Sequence, residues 1–274
     1  MLTVEGGPAT PDRAARVRPF LLQEPVLHGI ALSVLERGDP ADLAVVDRDG
    51  EPVAAGLRTE TKYLLSRAAD PGAAHTLADD ASRRLGPLSG WMGPRPEVRT
   101  FTSSWVHAAA GRAARLAMSM RIYTLDRLPA EPSVPGAYRP ATAADADLLA
   151  GWRGAFTAET GAAGREGDGT AIERAIAEGT LRVWEDGGRV VSMAKSAGGA
   201  PDAVRVNLVY TPPELRRRGY ASACVAALSA ELLRAGRRYC YLYADLANPV
   251  SNSIYQRIGY RTAADVEDWC PAKG

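Results

Sequence analysis

The chain has 274 residues, of which 46% are hydrophobic, so it is long enough for one large domain or two smaller ones. Its 33 basic and 32 acidic residues nearly cancel, which argues against a nucleic-acid-binding protein, and no apolar run reaches the roughly 20 residues that span a bilayer. Cys224, Cys240 and Cys270 are odd in number and widely spaced, and the three histidines are scattered. These features, with an N-terminus that lacks a signal-peptide pattern, predict a cytoplasmic protein with free thiols and no metal site.

A proline-rich stretch near the middle divides the chain into two halves. Leu128–Gly136 reads LPAEPSVPG, and its three prolines remove backbone donors and disfavour regular structure. We therefore predict an N-terminal α/β domain over residues 1–128, a linker over 129–136 and a second domain over 137–274.

The first half carries the patterns of an α+β unit. Asp49–Gly50 lies between two apolar runs, which is a good hairpin signal. The elements predicted here are the strands Leu43–Val46 and Val53–Leu57, the helices Ala73–Leu85 and Pro96–Ala110, and the strand Leu116–Leu125.

The second half repeats this succession at coarse grain. A duplicated α+β unit explains the similarity, and one domain with an N-terminal extension is the alternative, since identity between the halves is too low to decide. The elements predicted here are the helices Ala144–Ala158 and Thr170–Glu178, the strands Leu181–Glu185, Arg189–Lys195 and Arg205–Tyr210, the helix Ala221–Arg234, the strand Tyr239–Ala244 and the helix Ser251–Ile258.

The strongest local motif joins the strand that ends at Tyr210 to the helix that follows. Val209–Ala221 reads VYTPPELRRRGYA and contains Arg-x-x-Gly-x-Ala. The first N–H groups of a helix have no internal partner, and the helix dipole adds positive potential there. Gly219 lets a ligand approach the backbone, and Arg216–Arg218 add positive charge. This turn predicts an anion site that fits a diphosphate, with a solvated basic turn as the alternative.

A second motif follows the next predicted strand. Asn248–Tyr260 reads NPVSNSIYQRIGY, in which Asn248 can cap a helix that contains Tyr255. Together the two motifs resemble the GNAT superfamily of acyl-CoA-dependent N-acyltransferases, over about residues 137–270. Ser251 stands where that family commonly has alanine, and Tyr260 where it commonly has phenylalanine.

The resemblance implies a GNAT-like mixed α/β fold in the second half and a role for each matched position. Backbone groups of the strand end would pair with the pantetheine arm of acetyl-CoA, and main-chain N–H groups of the turn would hold its diphosphate. Tyr255 would donate a proton to the departing CoA thiolate, since an ordinary tyrosine is protonated at neutral pH. The implied coenzyme-binding residues are Leu208, Val209, Tyr210, Arg216, Arg217, Arg218, Gly219, Tyr220, Ala221, Asn248 and Ser251.

The implied reaction is transfer of an acetyl group from acetyl-CoA to an amine of a small molecule, by direct attack within a ternary complex and without a metal. The attacking amine must be neutral, so a base or a water chain must take its proton. The sequence does not identify that base: Glu159, which is also a candidate for substrate binding, and Glu173 are both acidic residues of the predicted substrate side. Cys224 falls on the predicted coenzyme-binding helix and is interpreted as a packed small residue.

The first half lacks the Arg-x-x-Gly-x-Ala turn, so it is expected to be a degenerate GNAT-like unit that has lost CoA binding. Trp91 and Trp105 either line a wall of the acceptor cleft or pack in the core, which is the commoner fate. Two other functions stay open, a non-catalytic acyl-CoA-binding sensor and an acetyltransferase for peptide or protein amines. No nucleic-acid or membrane partner is expected, and both a monomer and a homodimer are compatible with the sequence.

Overall fold

The computed structural model describes residues 1–38, 40–161 and 170–272 of a mixed α/β protein. The chain forms two compact units. Unit 1 consists of Met1–Tyr123, Tyr243–Asn252 and Thr262–Gly274, and unit 2 consists of Thr124–Leu242 and Ser253–Arg261. Unit 1 therefore includes segments from the second half of the sequence, whereas the division at residues 128 and 137 stays a prediction.

The first half of the sequence begins with a strand, two helices and three strands. Asp49 and Gly50, at φ +54° and +88°, form the tight turn between the second and third strands, as the Asp-Gly signal predicts. The elements are β1 (Leu2–Gly7), α1 (Pro11–Leu21), α2 (Gly29–Arg37), β2 (Asp42–Arg48), β3 (Glu51–Arg58), β4 (Tyr63–Leu65), α3 (Ala73–Arg84), β5 (Trp91–Pro94), α4 (Arg95–His107) and β6 (Ala114–Leu125).

The second half has the same succession of helices and strands. In the part of the chain that the structure describes, each half contains a strand, two helices, three strands, a helix, a strand, a helix and a final strand. The elements are β7 (Ala137–Pro140), α5 (Ala146–Thr160), α6 (Ala171–Ala177), β8 (Leu181–Asp186), β9 (Arg189–Ala200), β10 (Ala203–Tyr210), α7 (Tyr220–Arg234), β11 (Tyr239–Asp245), α8 (Pro249–Ile258) and β12 (Arg261–Pro271).

Strand pairing also follows one scheme in both units. In unit 1 the strand order is β1-β2-β3-β4-β5-β12-β6, with three antiparallel pairs and then a parallel pair between β4 and β5. In unit 2 the order is β7-β8-β9-β10-β11, again with three antiparallel pairs followed by a parallel one. The C-terminal strand β12 pairs antiparallel with β5 of unit 1, which explains why unit 1 takes in the end of the chain.

Each unit has its own apolar core. In unit 1, the rings of Trp91 and Trp105 lie 4.6 Å apart, and the buried indole N–H of Trp91 donates to Thr102 Oγ1 at 2.7 Å. Both tryptophans therefore pack in the core, the commoner of the two fates expected from the sequence. In unit 2, the buried side chains Leu149, Leu181, Val183, Met193 and Tyr210 pack together beneath α5 and α6. Within the described residues, no helix has the length and apolarity needed to cross a membrane.

Candidate functional site

Strand β10 contains a bulge near its C-terminal end. Asn207 lies opposite Lys195 of β9, and Tyr210 lies opposite Met193, so two residues of β10 stand where β9 has one. The first of the two, Leu208, has φ +49°, a conformation that leucine rarely adopts. A bulge leaves its extra residue outside the ladder and changes the direction of neighbouring backbone groups. Leu208 and Val209 therefore stand outside the regular register of β10 with β9.

The other edge of β10 loses its neighbour at the same end of the strand. The parallel pairing with β11 joins Ala203, Val204 and Arg205 to Tyr239, Cys240 and Tyr241. Beyond Arg205, β10 has register partners only on β9 within the described chain. An unpaired strand edge offers alternating N–H and C=O groups to an extended ligand. The parallel pairing of β10 and β11 therefore ends at Arg205.

The turn after β10 is held to its own unit by buried hydroxyls. Thr211 Oγ1 lies 2.9 Å from Ser192 Oγ, which in turn bonds the carbonyl oxygen of Tyr210 at 3.1 Å. At the start of α7, the Tyr220 hydroxyl donates to Asp186 Oδ2 at 2.6 Å, and this hydrogen bond raises the pKa of Tyr220. These contacts fix both ends of the turn.

Gly219 is required by the chain's own geometry. Its φ is +84°, and a Cβ placed on it would lie 2.7 Å from Cγ1 of Val134, in the stretch that the sequence identifies as a linker. As the residue before α7, Gly219 contributes no capping side chain, so the helix begins with N–H groups that have no internal acceptor. The sequence predicts a glycine here to leave room for a ligand, and the contact with Val134 is a second reason why position 219 needs a residue without a side chain.

The three arginines of the turn have different surroundings. Arg216 forms an ion pair with Glu159 at 2.6 Å, donates to the Thr211 carbonyl at 2.9 Å and lies over the Tyr210 ring. The Tyr210 hydroxyl also donates to Glu159, at 3.3 Å. The side chains of Arg217 and Arg218 are exposed, and Arg217 has φ +64°. Positive charge therefore surrounds the start of α7, although the Arg216 guanidinium is already engaged by a carboxylate.

Tyr255 lies on α8 with its side chain buried. Burial raises the pKa of its phenol to about 12, so the hydroxyl is protonated throughout the neutral range. Its ring packs edge-on against Tyr260 at 6.1 Å, and the Tyr260 hydroxyl lies 2.8 Å from Ser229 Oγ on α7. The phenol is thus protonated at neutral pH and lies on a firmly packed ring.

The chain is similar to one protein family and to several solved structures. The FR47-like protein family matches residues 192–270, which include β10, the turn, α7 and α8. An acetyltransferase of the GNAT family from Colwellia psychrerythraea is 10% identical over 99% of this chain and 100% of its own, with a TM-score of 0.63. A putative GNAT-family acetyltransferase from Novosphingobium aromaticivorans is 18% identical over 91% and 100% of the two chains, with a TM-score of 0.56. Comparison with curated proteins gives no match.

A third structure shows that the likeness extends to both halves. A tandem GNAT protein from the clavulanic acid biosynthesis pathway is 14% identical over 99% of this chain and 98% of its own, with a TM-score of 0.57. The resemblance to the GNAT superfamily is confirmed. The GNAT-like fold covers the whole chain, including the half whose sequence lacks the motif.

Within the GNAT-like fold, Asn248 and Ser251 have structural partners. Asn248 Oδ1 accepts a hydrogen bond from the Ser251 N–H at 3.1 Å and so caps the first turn of α8. The neighbouring Asn252, which the sequence reasoning did not single out, donates to the carbonyl oxygens of Asp245 and Asn248 and accepts from the Tyr123 hydroxyl. These bonds fix the start of α8, while contacts of Asn248 and Ser251 with a coenzyme stay a prediction.

The remaining candidate residues differ in how far their side chains are buried. Cys224 is buried on α7, and burial raises the pKa of its thiol, so it is a packing residue as interpreted from the sequence. Glu173 is exposed on α6. The described residues contain no group of three or more histidine, cysteine, aspartate or glutamate side chains that could hold a metal. Lys195 and Arg205 were not singled out from the sequence, because a single basic residue in an apolar strand gives no pattern.

Proposed function

We propose that this protein transfers an acetyl group from acetyl-CoA to an amine of a small molecule. The observation that carries the proposal is the coincidence, at one end of β10, of a backbone bulge, an unpaired strand edge and the uncapped start of α7. The unpaired edge suits the amide groups of a pantetheine arm, and the start of α7 suits a diphosphate. The similar proteins from Colwellia and Novosphingobium are described as acetyltransferases. The description of the tandem GNAT protein names AcCoA as the molecule that its structure lacks. Both descriptions support acetyl-CoA as the donor.

The chemistry requires three events around the thioester. The amine nitrogen forms a bond to the carbonyl carbon, the carbon–sulfur bond breaks, and the thiolate takes a proton. An N–H at the Leu208–Val209 bulge would stabilise the carbonyl oxygen as it gains negative charge. The buried phenol of Tyr255 would protonate the sulfur. The attack is direct, within a ternary complex, since the packed Cys224 offers no nucleophile.

The amine must lose one proton during the reaction. Glu159 contacts the turn, because it bonds both Arg216 and Tyr210. Because its carboxylate already pairs with the Arg216 guanidinium, Glu159 suits the positioning of Arg216 better than the acceptance of a proton. Proton loss through a water chain is the alternative that needs no further side chain. The predicted part of Glu159 in substrate binding stays a proposal.

Two other functions have weaker support. A sensor that binds acyl-CoA without turnover would need the turn but no buried proton donor, and Tyr255 therefore favours the enzyme. An acetyltransferase acting on a peptide or protein amine differs only in its acceptor. An assay of free CoA thiol, with small amines in one arm and peptides in the other, separates all three.

Binding of acetyl-CoA is the first test. We expect Gly219→Glu to weaken binding at least tenfold in calorimetry, because the carboxylate would stand at the diphosphate site. The matched control is Gly236→Glu at the other end of α7, where φ is +90° and a Cβ would meet nothing within 4 Å. The control carries the same charge and a similar backbone strain, but it lacks the contact with Val134. Equal affinities in the two variants would contradict an anion site at the start of α7.

A further inference from the structure

A group of polar side chains interrupts the apolar face of the unit 2 sheet. Leu181, Val183 and Met193 on this face belong to the core beneath α5 and α6. Lys195 lies two residues after Met193 on β9, so it points to the same side of the sheet. Its register partner on β10 is Asn207, and Arg205 lies two residues before Asn207. Lys195, Arg205 and Asn207 therefore share the face that α5 and α6 cover.

These three side chains are half-buried and poorly satisfied. Arg205 Nε and Asn207 Oδ1 are both inaccessible to solvent and have no hydrogen-bond partner among the described residues. The described part of the chain gives the Lys195 ammonium no ion pair either. A buried polar atom without a partner costs about 1–3 kcal/mol, so such atoms are rare and usually have a reason. Here two strands contribute them side by side.

Among the described residues, the charged groups that act on Lys195 are mainly positive. Arg153 of α5 and Arg174 of α6 add to the positive potential at Lys195, and Glu178 opposes it. Burial, together with Arg205 and these two arginines, lowers the pKa of Lys195 from its usual value. A half-buried site with this balance of charge attracts an anion and repels a cation.

The position of the group along β10 connects it to the proposed reaction. Arg205 is the last residue of β10 that pairs with β11, and Asn207 immediately precedes the bulge at Leu208. A molecule bound by these side chains would thus lie beside the backbone groups proposed to hold the thioester. The unpaired oxygen of Asn207 could accept from an N–H, while Lys195 and Arg205 could pair with an anion.

We propose that Lys195, Arg205 and Asn207 bind the acceptor, and that the acceptor is a small amine that also carries a carboxylate, as an amino acid does. The proposal rests on the acetyltransferase function proposed above. Arg205 and Lys195 would bind the carboxylate, and Asn207 Oδ1 would accept from the amine and direct it toward the carbonyl carbon. A guanidinium and an ammonium beside one carboxylate provide charge-assisted hydrogen bonds.

The test compares acceptors that differ only in the carboxylate. Amino acids and the corresponding amino-acid amides would be supplied with acetyl-CoA, and release of CoA thiol measured. We expect kcat/KM to be at least tenfold higher for the acid in a pair. Lys195→Met and Arg205→Met should each raise KM for the acid by about ten- to hundredfold, the usual value of a charge-assisted hydrogen bond. Their KM for acetyl-CoA should not change.

Further variants separate charge from packing. Lys195→Arg keeps the charge and should recover most of the affinity for the acid, whereas Arg234→Met removes an exposed charge from the last turn of α7 and should have no effect. Wild-type melting temperatures, measured with millimolar amino acids and with their amides, give a readout without turnover. We expect stabilisation by the acids alone, and loss of it in Lys195→Met.

The possible results distinguish the two proposals. If acetyl-CoA binds but amides or purely cationic amines react as well as acids, the acceptor proposal is wrong and the acetyltransferase proposal stands. The same holds if no amino acid reacts or stabilises the protein. If acetyl-CoA does not bind, yet acids stabilise the wild type and not Lys195→Met, the anion site stands and the acetyltransferase proposal fails.

Discussion

Substitution of Gly219 by alanine tests whether the turn before α7 depends on a residue without a side chain. Two costs add in this variant. The φ of +84° costs a non-glycine residue about 1–2 kcal/mol. The new Cβ would also lie 2.7 Å from Val134 Cγ1, so Val134 or the turn must move, at a cost of about 1 kcal/mol more. We expect the free energy of unfolding in urea to fall by about 2–3 kcal/mol in total.

Gly236→Ala is the matched control for that measurement. Gly236 follows the other end of the same helix with φ +90°, and a Cβ there would meet nothing within 4 Å, so only the backbone cost of about 1–2 kcal/mol applies. The double variant Val134→Ala with Gly219→Ala should recover about 1 kcal/mol relative to the sum of the single changes, because the contact has gone. Equal losses in Gly219→Ala and Gly236→Ala, with no coupling to Val134, would refute the contact argument.

Two further predictions concern buried phenols. Tyr255→Phe should lower kcat by about 10²- to 10⁴-fold with little change in affinity for acetyl-CoA. The control Tyr260→Phe loses a hydroxyl bonded to Ser229, so it should lower stability and leave kcat nearly unchanged. A loss in kcat of only two- or threefold in Tyr255→Phe would make that ring a packing residue. Burial raises the pKa of both Tyr255 and Tyr241 to about 12. The stability that each protonated phenol contributes is therefore complete below about pH 10, the usual pKa of tyrosine, and is lost as pH rises toward 12. The free energy of unfolding should fall by about 2–3 kcal/mol for each phenol. Urea unfolding between pH 8 and 11.5 should therefore show a shallower alkaline loss in Tyr241→Phe than in the wild type, and identical slopes would contradict the assignment.

Elements bounded by strong local signals could be predicted from the sequence. Glycines with positive φ lie in the hairpin at Asp49–Gly50 and at both ends of the helix between Gly219 and Gly236. Because glycine adopts positive φ far more readily than other residues, its presence in the sequence predicts such turns. The short strands β4 and β5 were overlooked, because runs of three and four residues are too brief to show a period. The pairing of β12 with β5 was equally hidden, since no local property tells a C-terminal strand which distant edge it joins.

The candidate site also contains features that could be predicted from the sequence and features that could not. The turn at Arg216–Ala221 could be predicted because helix starts that bind anions have a compact sequence pattern. The bulge at Leu208 could not, because positive φ on a leucine follows from the pairing of β10 with β9 and not from the residue itself. The same applies to Lys195 and Asn207, which become neighbours only through strand register.

The start of α3 shows why the two GNAT-like units differ in their expected affinity for a diphosphate. Asp70 is buried there, accepts a hydrogen bond from the Gly72 N–H at 2.7 Å and forms an ion pair with Arg48. Pro71, between them, has no N–H to offer. A diphosphate at this helix would meet a buried carboxylate and a backbone donor already in use. At the start of α7 the corresponding place has a glycine and three arginines, and the nearby carboxylates of Glu159 and Asp186 are engaged by Arg216 and Tyr220. Although the succession of helices and strands is common to both units, we therefore expect an anion site at the start of α7 and not at the start of α3.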